Sequence, residues 1–138
     1  MDDIFVGNLM TTPVKTVSAG TPAKEAASQM LEEGISSVVV VDGENRLEGI
    51  LTSTDFVAIA AAEGSADAFS VADYMTTDVV TTTANESIES VADQLIEHGI
   101  HHVPVVDDRE GVVGMMTTTD LTAYLSGSVD SESARAWT

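Results

Sequence analysis

Two short stretches carry residue types that could hold a ligand. They are Gly49-Ile50-Leu51-Thr52-Ser53-Thr54-Asp55 and Gly114-Met115-Met116-Thr117-Thr118-Thr119-Asp120, 65 residues apart. In each, an apolar strand pattern runs into hydroxyls and a carboxylate, and a helical pattern follows at once. Backbone N–H groups at a helix start have no internal partner, and the helix dipole favours an anion there. Thr52 and Thr54, or Thr117 and Thr119, add hydroxyl donors at that spot. Asp55 or Asp120 is a pure acceptor that can take both hydroxyls of a ribose, as the acidic residue of dinucleotide folds does. The set suits a nucleotide, with hydroxyls and helix N–H groups on phosphate and Asp on sugar. The competing reading is that Thr54 and Thr119 only cap helices. Two copies in register favour the ligand.

The elements that must position these corners repeat with them. Val6 to Asp55 overlies Val71 to Asp120 without a gap, with about 20 of 50 positions identical, so one structural unit is used twice. Ile4 to Met10 reads as a short lead helix and Val14 to Val17 as a strand. Thr21 is expected to cap a helix that begins at Pro22. Ala23, Ala26, Ala27, Met30 and Leu31 form the apolar stripe of that helix, and Gly34 stops it. Val38 to Val41 is a β-branched run expected as a buried strand. Asp42-Gly43-Glu44-Asn45 makes a turn, Leu47 to Leu51 returns as a strand, and a helix follows to about Ala62. In the second copy Val79 to Thr82 is strand, and Ile88, Val91, Ala92, Leu95 and Ile96 repeat the stripe. Gly99 stops that helix, Val103 to Val106 and Val112 to Met116 are the strand pair, and Leu121 to Leu125 lies on the last helix. The predicted division is repeat 1 over 1–62, a linker over 63–70, repeat 2 over 71–125 and a loose tail over 126–138, with Trp137 docking or exposed.

At 138 residues, each repeat would be marginal alone, and two packed together give a workable core. There is no cysteine, hence no disulfide, thiolate metal site or cysteine nucleophile. The acidic start, Met1-Asp2-Asp3-Ile4, is unlike a signal peptide, and the longest apolar run, Phe56 to Ala62, is far short of a membrane span. A cytoplasmic protein is expected. Five Lys and Arg against 23 Asp and Glu give −18, which makes nucleic acid and anionic membrane poor partners. The regular apolar pattern argues against disorder. At molar salt the Debye length falls to roughly 3 Å and screens such charge, and the composition resembles that of halophilic archaea.

The order strand, helix, strand, strand, helix, twice, with these corners, resembles a tandem pair of cystathionine-beta-synthase (CBS) domains over about residues 6–125. The motifs are Met10-Thr11-Thr12 with Met75-Thr76-Thr77, Gly34-Ile35 with Gly99-Ile100, the Val-rich strands ending in Asp42 and Asp107, and the two Gly-x-x-Thr-x-Thr-Asp corners. The resemblance implies an α/β fold of two β-α-β-β-α repeats related by a pseudo-twofold axis, with two clefts between repeats that take adenosine ligands. It implies one cleft of Thr52, Thr54 and Asp55 facing Thr81, His101, His102, Val103 and Pro104. It implies a second of Thr117, Thr119 and Asp120 facing Thr16, Ser36, Ser37 and Val38. Ser36 and Ser37 stand where the other repeat has His101 and His102, and Val39 stands where many members have Pro.

His98, His101 and His102 are not expected to make a metal site, since Gly99 breaks the helix after His98, so the three need not converge as three or four ligands must. His101 and His102 fit a cleft mouth, where imidazolium can meet phosphate, or else a solvent-facing loop. No Gly-x-Ser-x-Gly elbow and no phosphate-binding Gly-rich loop with Lys occurs, so an enzyme is not expected. Expected instead is a regulatory module that senses AMP, ADP, ATP or another adenosyl ligand, requires no cofactor, and signals to an effector protein. The apolar helix Phe56 to Ala62, with Leu121, Tyr124 and Leu125 on its twin, predicts a homodimer. The alternative is a structural or protein-interaction module with empty clefts.

Overall fold

The computed structural model describes residues 4–62 and 68–127. Most of the predicted tail, Trp137 included, and most of the predicted linker lie outside the described residues. The elements in chain order are α1 (Val6–Leu9), β1 (Thr16–Val17), α2 (Ala23–Glu33), β2 (Ser37–Val41), β3 (Leu47–Thr52) and α3 (Ser53–Ala61). Then come α4 (Val71–Tyr74), α5 (Ile88–His98), β4 (His102–Asp107), β5 (Gly111–Thr117) and α6 (Thr118–Leu125). This is the expected α/β repeat, used twice.

The described residues form two compact units that cut across the sequence repeats. One is Lys15–Val79; the other joins the residues up to Val14 to those from Val80 on. Each unit has its own core, and in each the lead helix comes from the opposite repeat. Val6 and Leu9 of α1 pack with Val91, Leu95, Val103, Val105 and Met116. Val71 of α4 packs with Val17, Ala26, Met30, Val38, Val40 and Leu51. The boundaries 1–62 and 71–125 therefore divide the sequence, while the packing exchanges the lead segments.

A backbone join fixes each exchange. Thr11 N–H donates to the Met115 carbonyl at 2.8 Å and Met115 N–H returns to the Thr11 carbonyl at 3.1 Å. Thr76 and Ile50 exchange the equivalent pair, both at 2.9 Å. A close approach makes each join, and glycine at positions 49 and 114 leaves the room for it. A Cβ on Gly49 would lie 2.7 Å from the Thr76 carbonyl oxygen, and one on Gly114 would lie 2.6 Å from Met10 Sδ.

In the first unit β1 runs parallel to β2 and β2 antiparallel to β3, with Ser37 opposite Thr52. In the second, β4 and β5 pair antiparallel with His102 opposite Thr117. The strand predicted over Val79–Thr82 shrinks to a single parallel bridge, Thr82 with Val105. Helices α2 and α5 end where expected, at Gly34 and Gly99 with φ of 66° and 63°, a left-handed conformation that favours glycine. The start of α2 differs by one residue. Pro22 is the N-cap, and Thr21 instead turns its hydroxyl to Ser18, 3.0 Å from Ser18 Oγ. The stripes are also narrower than predicted. Leu31 and Ile96, twins at the 65-residue offset, are 85% and 80% exposed.

Candidate functional site

Each corner is built where an antiparallel strand pair hands over to a helix. In the unit of α3, β3 ends at Thr52, which is the N-cap. Thr52 N–H donates to Asp55 Oδ2 at 2.7 Å, and the Thr52 hydroxyl lies 3.4 Å from the same oxygen. Ser53 N–H donates to the Ser36 carbonyl at 3.0 Å. The unit of α6 repeats this. Thr117 N–H donates to Asp120 Oδ2 at 2.9 Å, Asp120 N–H donates to Thr117 Oγ1 at 3.1 Å, and Thr118 N–H donates to the His101 carbonyl at 3.1 Å. Such reciprocal bonding satisfies amides that a helix start leaves open.

The caps are therefore Thr52 and Thr117, not Thr54 and Thr119. The hydroxyls of Thr54 and Thr119 are exposed and make no hydrogen bond among the described residues. They remain open to a ligand, whereas Thr52 and Thr117 are turned towards their own helices. Asp55 and Asp120 are half-buried, and each holds its Oδ2 on the strand-end amide.

Thr16 sits on β1 opposite Val39, and Thr81 directly precedes the bridge residue Thr82. Ser36 and His101 occupy the turn before β2 and β4, with Ser37 and His102 as the first residues of those strands. The side chains of Val38, Val103 and Pro104 are fully buried, so a ligand can meet only their backbone. Pro104 already uses its carbonyl to accept Thr82 N–H at 3.1 Å.

Burial holds the Asp120 carboxyl above its ordinary range, against hydrogen bonds from Thr117 and Thr11 and the nearby His102. Burial pushes His102 below its ordinary value; neighbouring His101 adds to this and Asp120 opposes it. At neutral pH His102 is thus an uncharged imidazole, and the expected imidazolium grip on phosphate needs acid. His102 lies within the electrostatic reach of Asp120, in the same unit. Among the described residues no three His, Asp or Glu side chains gather as a metal ion would require.

Sequence reasoning passed over one contributor. Thr11 Oγ1 donates to Asp120 Oδ1 at 3.0 Å from 109 residues away. Its signal was present in the repeated Met10-Thr11 and Met75-Thr76 pairs, whose meaning emerges only once the lead segments are seen to exchange.

The CBS domain sequence profile matches residues 6–62 and again 71–127. The CBS domain-containing protein YhcV of Bacillus subtilis is 33% identical over 116 residues, covering 84% of this chain and 81% of that protein. Homoserine O-acetyltransferase of Methanococcus vannielii is 33% identical over 122 residues, which is 88% of this chain but 25% of that enzyme. The chain likewise spans 25% and 23% of two other such acetyltransferases. Among solved structures, the CBS domain pair of protein MJ0100 in complex with 5′-methylthioadenosine and S-adenosyl-L-methionine superposes with a TM-score of 0.85. It is 28% identical, over 93% of this chain and 100% of that one. No helix among the described residues is long and apolar enough to cross a membrane.

Proposed function

The chain belongs to the CBS domain family as a tandem pair, and from that premise we propose that it is a cytoplasmic regulatory module that binds an adenosyl ligand at its Thr-x-Thr-Asp corners. The observation that carries this reading is the doubled corner itself. Each presents an anchored carboxylate, an exposed Thr hydroxyl and a helix start, on a chain similar to a domain pair that binds 5′-methylthioadenosine and S-adenosylmethionine. Asp55 and Asp120 take the ribose hydroxyls. Thr54 and Thr119 meet the 5′ end. Thr16, Ser36, Ser37 and the backbone of Val38, and Thr81, His101, His102 and the backbone of Val103 and Pro104, are the further residues proposed to line the adenosyl sites.

The charge of the site selects within the adenosyl class. None of these residues is Lys or Arg, the chain carries −18, and His102 is neutral at neutral pH. A polyphosphate would meet few cations. An uncharged thioether or a cationic sulfonium fits better, so we rank 5′-methylthioadenosine and S-adenosylmethionine ahead of AMP, ADP and ATP.

No catalytic role is assigned. The acetyltransferase name belongs to proteins of which this chain spans 25%. Signalling requires that the ligand bind two states unequally and that a partner read the difference. Leu31, Ile96 and Leu125 are exposed at 85%, 80% and 80%, and Val57 on α3 at 68%, which supports a homodimer or effector face on these helices. Light scattering at molar salt tests the homodimer, and a monomer mass would reject it.

The function is tested by a thermal-shift screen at molar salt with 5′-methylthioadenosine, S-adenosylmethionine, AMP, ADP, ATP and NAD. A ligand at 100 times its Kd adds about 2.7 kcal/mol of stability. No shift with any adenosyl compound would favour the alternative, an interaction module with empty corners.

A further inference from the structure

The two corners are twins in sequence but not in hydrogen bonding. Asp55 gives its Oδ2 to Thr52, and its Oδ1 accepts no hydrogen bond among the described residues. Asp120 gives its Oδ2 to Thr117 and its Oδ1 to the Thr11 hydroxyl at 3.0 Å. Thr76 is the twin of Thr11 and is held by the same backbone pair, Thr76 with Ile50 as Thr11 with Met115. Its hydroxyl nevertheless makes no bond to Asp55. The join alone therefore does not dictate the contact.

We propose that Thr11 is a latch that makes the two adenosyl sites unequal, so that the Asp55 corner fills first and the Asp120 corner fills only at higher ligand concentration. This rests on the adenosyl reading above. A ribose presents two neighbouring hydroxyl donors. At Asp55 the free Oδ1 accepts them directly. At Asp120 the same oxygen already holds a donor, and the Thr11 side chain stands on its open side. The incoming diol must share that oxygen or displace Thr11 from a charge-assisted bond. Losing such a bond weakens binding about tenfold. A module with two unequal sites responds over a wider concentration range than one with two equal sites. The lead segment that carries Thr11 packs into the same core as α6 through Val6 and Leu9, so displacing the latch acts on a segment built into that unit.

The test is calorimetric titration of 5′-methylthioadenosine at molar salt, with each corner isolated by removing the other carboxylate. In an Asp55→Ala background, Thr11→Val is expected to tighten binding about tenfold, and Thr11→Ser, which keeps the hydroxyl, to restore the weaker affinity. In an Asp120→Ala background, Thr76→Val is expected to change nothing. Binding at the Asp120 corner that ignores Thr11→Val, or weakens with it, overturns the latch while leaving the adenosyl reading intact. No heat in the unsubstituted chain with this ligand or with S-adenosylmethionine overturns the adenosyl reading and the latch with it.

Discussion

Thr82→Val is expected to stabilise the protein. Thr82 is 5% exposed, and its hydroxyl oxygen is buried without a hydrogen-bond partner among the described residues. Its twin at the 65-residue offset is Val17, a core residue of the other unit. The backbone of Thr82 is fully used, donating to Pro104 at 3.1 Å and accepting from Val106 at 2.9 Å, and neither bond involves the side chain. Valine has nearly the same shape and the same β-branch. A buried hydroxyl without a partner costs about 1–3 kcal/mol, and a methyl in its place adds about 0.8 kcal/mol of apolar burial. Allowing for partial relaxation, the net gain is about 1–2 kcal/mol, which raises Tm by roughly 3–6 °C in a domain of this size. Urea unfolding at molar salt, followed by circular dichroism, measures it, with an unchanged slope showing that the comparison is of like states. A variant no more stable than the parent would show that the hydroxyl has a partner in solution and that the reasoning is wrong.

Two other perturbations read the joins and the corner. Gly49→Ala should cost about 2–3 kcal/mol, because its Cβ would press on the Thr76 carbonyl oxygen, whereas Gly114→Ala should cost about 1 kcal/mol, because Met10 Sδ can swing aside; equal losses in chemical denaturation would contradict this. His102 has a folded-state value below its unfolded one, so the unfolded chain takes up a proton that the folded chain resists, and His102 subtracts stability as pH falls through about 6.5 towards the depressed value. Replacing it by its twin's residue, His102→Ser, should therefore shrink the fall in Tm between pH 7.5 and 5.5, and an unchanged fall would remove His102 as the source.

Much of this architecture was legible because the sequence states it twice. The stop glycines Gly34 and Gly99, the Val-rich strands and the hydroxyl–carboxylate corners all depend on local spacing, which a chain reveals without its fold. What was not legible depends on which copy meets which. Val6 and Val71 occupy the same place in the repeat, and no local pattern says that each lead helix joins the other repeat's core. The bond from Thr11 to Asp120 follows from that exchange and was missed with it. Leu31 and Ile96 complete an amphipathic stripe on paper, yet each lies at the edge of its helix's buried face and ends up in solvent. The cap assignments slipped because Thr52 and Thr54, like Thr117 and Thr119, are both good N-cap residues, and the choice falls to the residue where the strand ends.

The central claim, that the twin carboxylates hold an adenosyl ligand, is tested most directly by calorimetric titration of S-adenosylmethionine into the parent, Asp55→Ala, Asp120→Ala and the double variant at molar salt. Neither Asp lies in an apolar core cluster, so all four chains should fold, with any loss of capping visible as a lower Tm. The account predicts two binding events in the parent, one in each single variant with the tighter lost in Asp55→Ala, and none in the double variant. Binding that survives in the double variant would contradict it.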